Sequence, residues 1–153
     1  MNEQQGRLIG IAIRGQSRAP MVEVDVAEIT AAAGVTGDFR GRSSGRQVTV
    51  LSTEDWQAAC AELGRELPWT TRRANLLVEG LSLRGTTGAV LRIGDVLLQV
   101  TGETDPCSRM EEAAEGLCSA LTPDWRGGAC CRVIQGGTVR PNATVNLESS
   151  EAQ

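Results

Sequence analysis

Short β-prone runs separated by glycine turns constrain this 153-residue chain most, since 18 of its residues are glycine. Gln47–Leu51 is a buried-strand candidate, and Val90–Val100 predicts a hairpin that turns at Gly94-Asp95. Two predicted helices, about 52–63 and 106–121, lie too far apart for regular βαβ alternation. We therefore expect a mainly β fold, a β-barrel with a few peripheral α-helices. The other expected elements are strands at Arg7–Ile13, Met21–Val26, Asn75–Val78, Ala129–Ile134 and Thr138–Leu147, and a helical turn at Ile29–Ala33.

The absence of whole residue types limits the reactions and metal sites that this chain can support. The chain contains no His, Tyr or Lys, so all 15 basic residues are arginine. Without lysine, no pyridoxal phosphate aldimine can form on this protein. Without histidine, catalytic triads and histidine-bearing zinc sites are excluded as well. The side chains that remain available for chemistry are cysteine, the carboxylates, the hydroxyls and arginine.

Composition also limits the partners and the compartment. A net charge of −4 and only four aromatic residues argue against a nucleic-acid partner. No apolar run approaches membrane-spanning length, and the first residues lack a signal-peptide pattern, so we expect a cytoplasmic protein that does not enter membranes. Five cysteines, two of them adjacent, do not indicate a disulfide framework.

Cys107 is the most informative single position. Pro106 suits the first position of a helix, which would place the next residue in its first turn, where free N–H groups and the helix dipole favour a thiolate. Arg109 adds positive charge two residues on. The alternative is a buried structural cysteine, since free cysteines are commonly buried. That structural interpretation is preferred for the other four, Cys60, Cys118, Cys130 and Cys131.

Arginines form two local clusters in this acidic chain. Arg40, Arg42 and Arg46 lie in a glycine-rich loop that also carries Ser43-Ser44, and Arg72-Arg73 precede a strand. Guanidinium groups and loop N–H groups match the oxygens of phosphate or carboxylate, so an anion site is one interpretation. A solvated surface is the other.

Five motifs in order resemble those of MOSC domains, which are relatives of the C-terminal domain of molybdenum cofactor sulfurase. The resemblance covers Met21 to Leu147, and we expect a single domain with residues 1–20 as part of it, a MOSC region at 21–148 and a flexible tail at 149–153. The motifs are Gly34-Val35-Thr36-Gly37-Asp38, Arg46-Gln47-Val48, Arg73-Ala74-Asn75-Leu76-Leu77-Val78-Glu79-Gly80, Ile93-Gly94-Asp95 and Thr104-Asp105-Pro106-Cys107.

The resemblance implies a β-barrel that binds a molybdopterin-type molybdenum cofactor. In similar amidoxime-reducing proteins a cysteine at the position of Cys107 ligates molybdenum, and in sulfurases the domain holds the cofactor during sulfur delivery. Arg73 and Asn75 resemble the cofactor-facing Arg-x-Asn element. The remaining candidates for cofactor binding are Arg72 as their neighbour, Asp38, Arg46, Thr104 and Arg109.

Two departures from the family pattern stand out. Many single-domain members carry a histidine soon after the Gly-Asp of the first motif, whereas Phe39-Arg40-Gly41-Arg42 has none. Near the C-terminus, Asn142-Ala143 replaces the usual Gly-Asp turn, which we expect to leave the fold intact.

Three functions follow as expectations. The first is a molybdenum-dependent oxidoreductase that reduces N-hydroxylated compounds with electrons from a separate donor, since the chain has no flavin, haem or iron–sulfur motif. The second is a sulfur carrier in which a cysteine desulfurase loads Cys107. The third is a non-catalytic module that binds an anionic ligand or carries the cofactor on the same barrel.

Overall fold

Eleven strands and three short helices make up the part of the chain that the computed structural model describes, residues 3–39, 41 and 45–149. Arg40, Arg42, Ser43, Ser44 and the predicted tail beyond Ser149 lie outside it. The strands are β1 (Glu3–Ile13), β2 (Val22–Glu23), β3 (Ala27–Thr30), β4 (Gly34–Val35), β5 (Val48–Ser52), β6 (Leu76–Glu79), β7 (Val90–Ile93), β8 (Val96–Glu103), β9 (Ala129–Gln135), β10 (Gly137–Val139) and β11 (Thr144–Glu148). The helices are α1 (Thr53–Leu63), α2 (Ser108–Ala113) and α3 (Leu117–Leu121), with 3-10 turns at Trp69–Arg72 and Pro123–Trp125.

Seven strands close into a barrel, as the sequence predicts. Their order is β11-β7-β8-β9-β5-β6-β1, and antiparallel pairing of β1 with β11 closes the ring. Closure removes free sheet edges, which suits a chain of many short strands. Strand β2 extends the sheet beside β1, and β10, β3 and β4 form a small separate sheet. No helix of the described residues is long and apolar enough to span a membrane.

Strands β5 and β6 carry apolar side chains on both faces. Val48 and Val50 point into the barrel core, whereas Leu51 packs with the helices outside. On β6, Leu77 joins the same outer cluster. These two strands are parallel and α1 connects them, which makes one βαβ crossover that the sequence pattern does not predict. Burial on both faces is typical of such a parallel pair.

Several predicted elements have different bounds. Ile29–Ala33 is not a helical turn, because Ala27–Thr30 pairs with β4 and β10 as a strand. Met21–Val26 contributes only the two residues of β2, and Val22 is 57% exposed. The run Thr138–Leu147 is two strands, since a turn interrupts it at residues 140–143.

The helix predicted over 106–121 is divided into α2 and α3. Gly116 adopts φ 89°, a left-handed conformation that ends helical geometry and that glycine adopts at low cost. The Glu111 carboxylate accepts hydrogen bonds from the N–H groups of Gly116 (2.8 Å) and Cys118 (3.3 Å). Glu111 therefore satisfies two backbone N–H groups where the second helix starts.

Candidate functional site

Cys107 lies between β8 and α2, where it lines a cavity of about 450 Å³. It is the N-cap residue of α2, with φ −129° and ψ −179°, and its side chain is exposed. The prediction that Pro106 occupies the first helical position is wrong, because the helix begins at Ser108. Because the Cys107 side chain is exposed, this residue is not a buried structural cysteine. We name this site the thiol cavity; it is lined by Arg46, Thr101, Gly102, Glu103, Asp105, Pro106, Cys107 and Cys130.

Arg72 is buried close to the thiols of this cavity. Its Nε donates to the Gly127 carbonyl (2.9 Å) and one terminal nitrogen donates to the Thr104 carbonyl (3.1 Å). Burial lowers the pKa of Arg72, while the nearby Cys107 and Cys130 thiols raise it. Arginine stays protonated in proteins, so a fixed positive charge lies within electrostatic reach of both thiols.

The two adjacent cysteines of β9 face opposite sides, as strand geometry predicts. Cys131 belongs to the barrel core, and burial raises the pKa of its thiol well above the ordinary range. Cys130 lines the thiol cavity, and its Sγ lies 3.2 Å from the Oγ1 of Thr104. Cys131 is therefore structural, whereas Cys130 is a second sulfur atom in the wall of the candidate site.

The charges around the thiol cavity are mixed. Arg46 is exposed, and its side chain makes no hydrogen bond or ion pair with another described residue. Glu103 and Asp105 supply two carboxylates, and desolvation together with the charge of Asp105 raises the pKa of Glu103. With Arg72 buried nearby, positive and negative charges balance. The cavity is therefore not a simple anion site.

Arg73 and Arg109, two predicted cofactor-binding residues, lie together in a different pocket. This arginine pocket has a volume of about 270 Å³. Its lining residues are Arg18, Thr71, Arg73, Arg109, Met110, Glu112 and Ala113. The Arg73 guanidinium donates to the Ala19 carbonyl at 3.2 Å.

The side chains of Asn75 and Asp38 form hydrogen bonds with backbone groups. Asn75 is buried; its Oδ1 accepts from the Thr49 N–H (3.0 Å), and its Nδ2 donates to the Ala12 carbonyl (3.2 Å). Asp38 accepts from the Arg14 N–H at 3.1 Å. Neither residue lines the thiol cavity or the arginine pocket. The predicted Arg-x-Asn element is thus divided between the arginine pocket and the barrel.

Sequence reasoning missed three residues that shape these sites. Gln47 is buried and ties the glycine loop to the barrel, because it donates to the Gly41 carbonyl (3.2 Å) and accepts from the Val133 N–H (2.9 Å). Its place in the Arg46-Gln47-Val48 motif was an available signal. Cys130 could have been found from strand alternation, since its neighbour is in the core. Arg18 gave no signal in the sequence.

A cavity of about 660 Å³, larger than the thiol cavity, lies beside α1 and is mainly apolar. Trp56, Leu67 and Trp69 contribute to its lining, and the Trp56 indole N–H donates to the Leu67 carbonyl at 2.9 Å. It contains none of the predicted cofactor-binding residues. Size alone therefore does not identify the candidate site.

The family model of the MOSC domain matches residues 36–146. The chain belongs to the MOSC domain family. This match includes Cys107, both adjacent arginines and Asn75. A search of the curated proteins gave no significant match.

Solved structures agree with this MOSC fold. The YuaD protein from Bacillus subtilis is 18% identical with a TM-score of 0.84, and the match covers 97% of this chain and 98% of that one. YiiM from Geobacillus stearothermophilus is 17% identical with a TM-score of 0.75, over 93% and 74% of the two chains. YiiM from Escherichia coli is 20% identical with a TM-score of 0.71, over 94% and 70%. At these identities the likeness establishes the fold.

Proposed function

We propose that this MOSC protein binds a molybdopterin-type molybdenum cofactor in the thiol cavity, with Cys107 as the protein ligand to molybdenum. The observation that carries the proposal is the exposed Cys107 thiol on the wall of a cavity of about 450 Å³. That volume lies in the range of small-molecule sites, about 300–1,000 Å³. A thiolate is a soft ligand of the kind transition metals accept.

The donor set fits a metal that arrives with ligands of its own. Within the described residues, no group of three or more cysteines or carboxylates is placed to hold a bare metal ion. A molybdopterin supplies two dithiolene sulfurs to its metal, so one protein thiol suffices to complete the attachment. The lone exposed cysteine and the absence of such a group in these parts of the chain therefore support a cofactor rather than a free ion.

The neighbours of Cys107 have distinct roles in this proposal. The fixed charge of Arg72 lies within electrostatic reach of the thiol that would ligate the metal. Arg46 is placed to contact an anionic part of a molecule in the cavity. The bound cofactor would supply the two-electron chemistry that reduces an N-hydroxylated substrate. We propose that a separate protein donates the electrons.

Metal and pterin content test this proposal. Wild-type protein, expressed in cells that make the cofactor and are supplied with molybdate, should purify with molybdenum and pterin in near-equal amounts. Cys107→Ser should lose most of the molybdenum, whereas Cys118→Ser, a change at a half-buried cysteine outside the cavity, should retain it. Wild-type protein without molybdenum or pterin would contradict the proposal.

The exposure of Cys107 also supports sulfur transfer as a second function. A desulfurase persulfide could meet this thiol at the surface: the Cys107 thiolate attacks the outer sulfur, its S–S bond to the desulfurase cysteine breaks, and that cysteine leaves as a thiolate. Mass spectrometry after incubation with a cysteine desulfurase and cysteine should find one added sulfur atom on Cys107. Finding none, or equal loading of Cys107→Ser, would reject this function.

A further inference from the structure

Two of the four aromatic side chains in this chain line the apolar cavity beside α1. Within the described parts of the chain, the residues buried in the barrel core include no aromatic ring. Trp56 and Trp69 pack instead in the outer cluster, between the barrel and the helices. We name this cavity of about 660 Å³ the indole cavity; its lining includes Thr53, Trp56, Cys60, Leu67, Trp69 and Leu77. The chain therefore places half of its few aromatic rings around one cavity.

Contacts outside the cavity hold both indole rings in place. Trp56 is buried, and its indole N–H donates to the Leu67 carbonyl at 2.9 Å. The Trp69 ring lies against Gly10 of β1, where an added Cβ would come within 3.0 Å of the ring. Glycine within a strand often marks such a close approach. Because these walls are formed before any molecule binds, binding there costs little ordering of side chains.

The Thr53 hydroxyl in the cavity wall lacks a hydrogen bond. Its Oγ1 is buried and has no partner among the residues that the structure describes. Capping of α1 does not need this hydroxyl, because the Ser52 Oγ already accepts from the Asp55 N–H at 3.3 Å. Buried polar atoms in native proteins are nearly always paired, and a threonine in a helix can adopt more than one χ1 rotamer. A bound molecule with a polar group would supply the missing partner.

We propose that the indole cavity binds an uncharged aromatic molecule that carries one hydrogen-bonding group, which Thr53 recognises. Aromatic walls with few polar groups are typical of small-molecule sites, whose volumes are about 300–1,000 Å³. Among the described lining residues the charges are those of Arg65 and Glu66, both exposed, so their formal sum is zero and no ion is favoured. The described linings of the indole cavity and the thiol cavity share no residue. This proposal therefore does not depend on molybdenum or on the Cys107 thiol.

An NMR titration of the full, cofactor-free chain with 2-naphthol tests the site, with naphthalene as the matched probe that lacks the hydroxyl. The chain has three tryptophans, so its indole N–H signals report on three places. The signals of Trp56 and Trp69 should shift, whereas that of Trp125, which packs against the barrel core, should not. We expect a Kd for 2-naphthol of about 1 mM or tighter, and binding about fivefold weaker for naphthalene.

Two variants separate the aromatic wall from the hydroxyl. Trp69→Leu should weaken binding of both probes by about tenfold, through loss of ring contacts, whereas Phe39→Leu, at an exposed ring outside the cavity, should leave binding unchanged. Thr53→Val should weaken 2-naphthol by about fivefold without changing naphthalene. It should also fold normally, because the hydroxyl it removes has no partner among the described residues. Thr138→Val, at an exposed strand position, is its matched control.

Three results would overturn the proposal. The first is the absence of shifts at Trp56 and Trp69 up to the solubility of 2-naphthol, and the second is an equal shift at Trp125. The third is a Thr53→Val protein that keeps the wild-type preference for 2-naphthol over naphthalene, since the hydroxyl would then recognise nothing. Failure of the protein to load molybdenum would leave all of these measurements unaffected, so this proposal and the proposed function can fail separately.

Discussion

The thiol cavity and the arginine pocket flank the same short stretch of chain but have opposite characters. Thr71 and Arg73 line the arginine pocket, whereas Arg72 between them turns to the Thr104 and Gly127 carbonyls beside the thiols. Among the described lining residues, the cavity has an exposed thiol and balanced charges, whereas the pocket has three arginines and no thiol. Adjacent residues of the chain thus lie beside two different cavities, so closeness in sequence does not assign them to one ligand.

Replacing Arg72 should have the largest effect on stability. Arg72→Gln is too short to reach both carbonyls, and it leaves two buried acceptors without donors. We expect the free energy of unfolding to fall by about 2–4 kcal/mol, measured by urea denaturation. Arg73→Gln, a half-exposed control, should cost less than about 1 kcal/mol. Equal losses at both positions would remove the distinction between the two arginines.

Replacing Asn75 tests whether this residue of the Arg-x-Asn element stabilises the barrel rather than contacting a ligand. Asn75→Ala removes the acceptor for the Thr49 N–H and the donor to the Ala12 carbonyl, so we expect a loss of about 2 kcal/mol of stability. The molybdenum content of cofactor-loaded protein should stay close to that of wild type. A large loss of molybdenum in stably folded Asn75→Ala would show that this residue acts on the ligand.

The largest contribution to the pH dependence of stability should arise at the start of α1, away from the thiol cavity and the arginine pocket. Desolvation raises the pKa of Asp55 to about 6, against the lowering effect of Arg126. A raised pKa means that the folded state disfavours the carboxylate, so this penalty is present above pH 6 and disappears as the pH falls towards 4. Because Asp55 is partly exposed, we expect about 1 kcal/mol.

Denaturation of Asp55→Asn between pH 4 and pH 7 measures this contribution. Relative to the variant, wild-type protein should become more stable as the pH falls through this window. Glu66→Gln, an exposed control, should keep the wild-type profile. If Asp55→Asn and wild type show parallel profiles, the pH dependence must come from other groups, and those of the two sites would be the next to test.

The smallest expected effect is a change in the rate at which Cys107 is alkylated. Iodoacetamide should modify Cys107 in the folded protein before Cys131, which is fully buried. Removing the nearby charge in Arg46→Gln should slow modification of Cys107 by about twofold to fivefold, because the reacting thiolate is negative. Arg18→Gln should leave the rate of Cys107 modification unchanged.

Peptide mass spectrometry can follow both cysteines in one digest. Trypsin cleaves this lysine-free chain only after arginine, which places Cys107 on 93–109 and Cys131 on 127–132. Because 127–132 also contains Cys130, fragment spectra must assign the label within that peptide. Equal slowing by Arg46→Gln and Arg18→Gln would contradict the separation of the two sites.

Local sequence signals predicted the barrel well at turns that require a residue with positive φ. Gly94 takes φ 60° in the β7–β8 hairpin, and Asn142, which replaces the usual glycine turn, takes φ 80°. Those signals failed where tertiary contacts decide. Ile29–Ala33 has no local reason to be a strand, but pairing with β4 and β10 makes it one over Ala27–Thr30.

The candidate site was predictable only in part for the same reason. Cys107 follows from its motif, and alternation along β9 separates Cys130 from Cys131. The directions of Arg72 and Arg73 could not be predicted, because a left-handed backbone at Arg73 and carbonyls of distant segments set them. Arg18 joins the pocket only through folding of the loop after β1.

X-ray absorption at the molybdenum edge reports whether Cys107 ligates the metal. Cofactor-loaded wild-type protein should show one more molybdenum–sulfur bond than the molybdenum that remains on Cys107→Ser, while Cys118→Ser should match wild type. An unchanged sulfur count in Cys107→Ser would contradict the account, because the exposed thiol would then play no part in holding the metal.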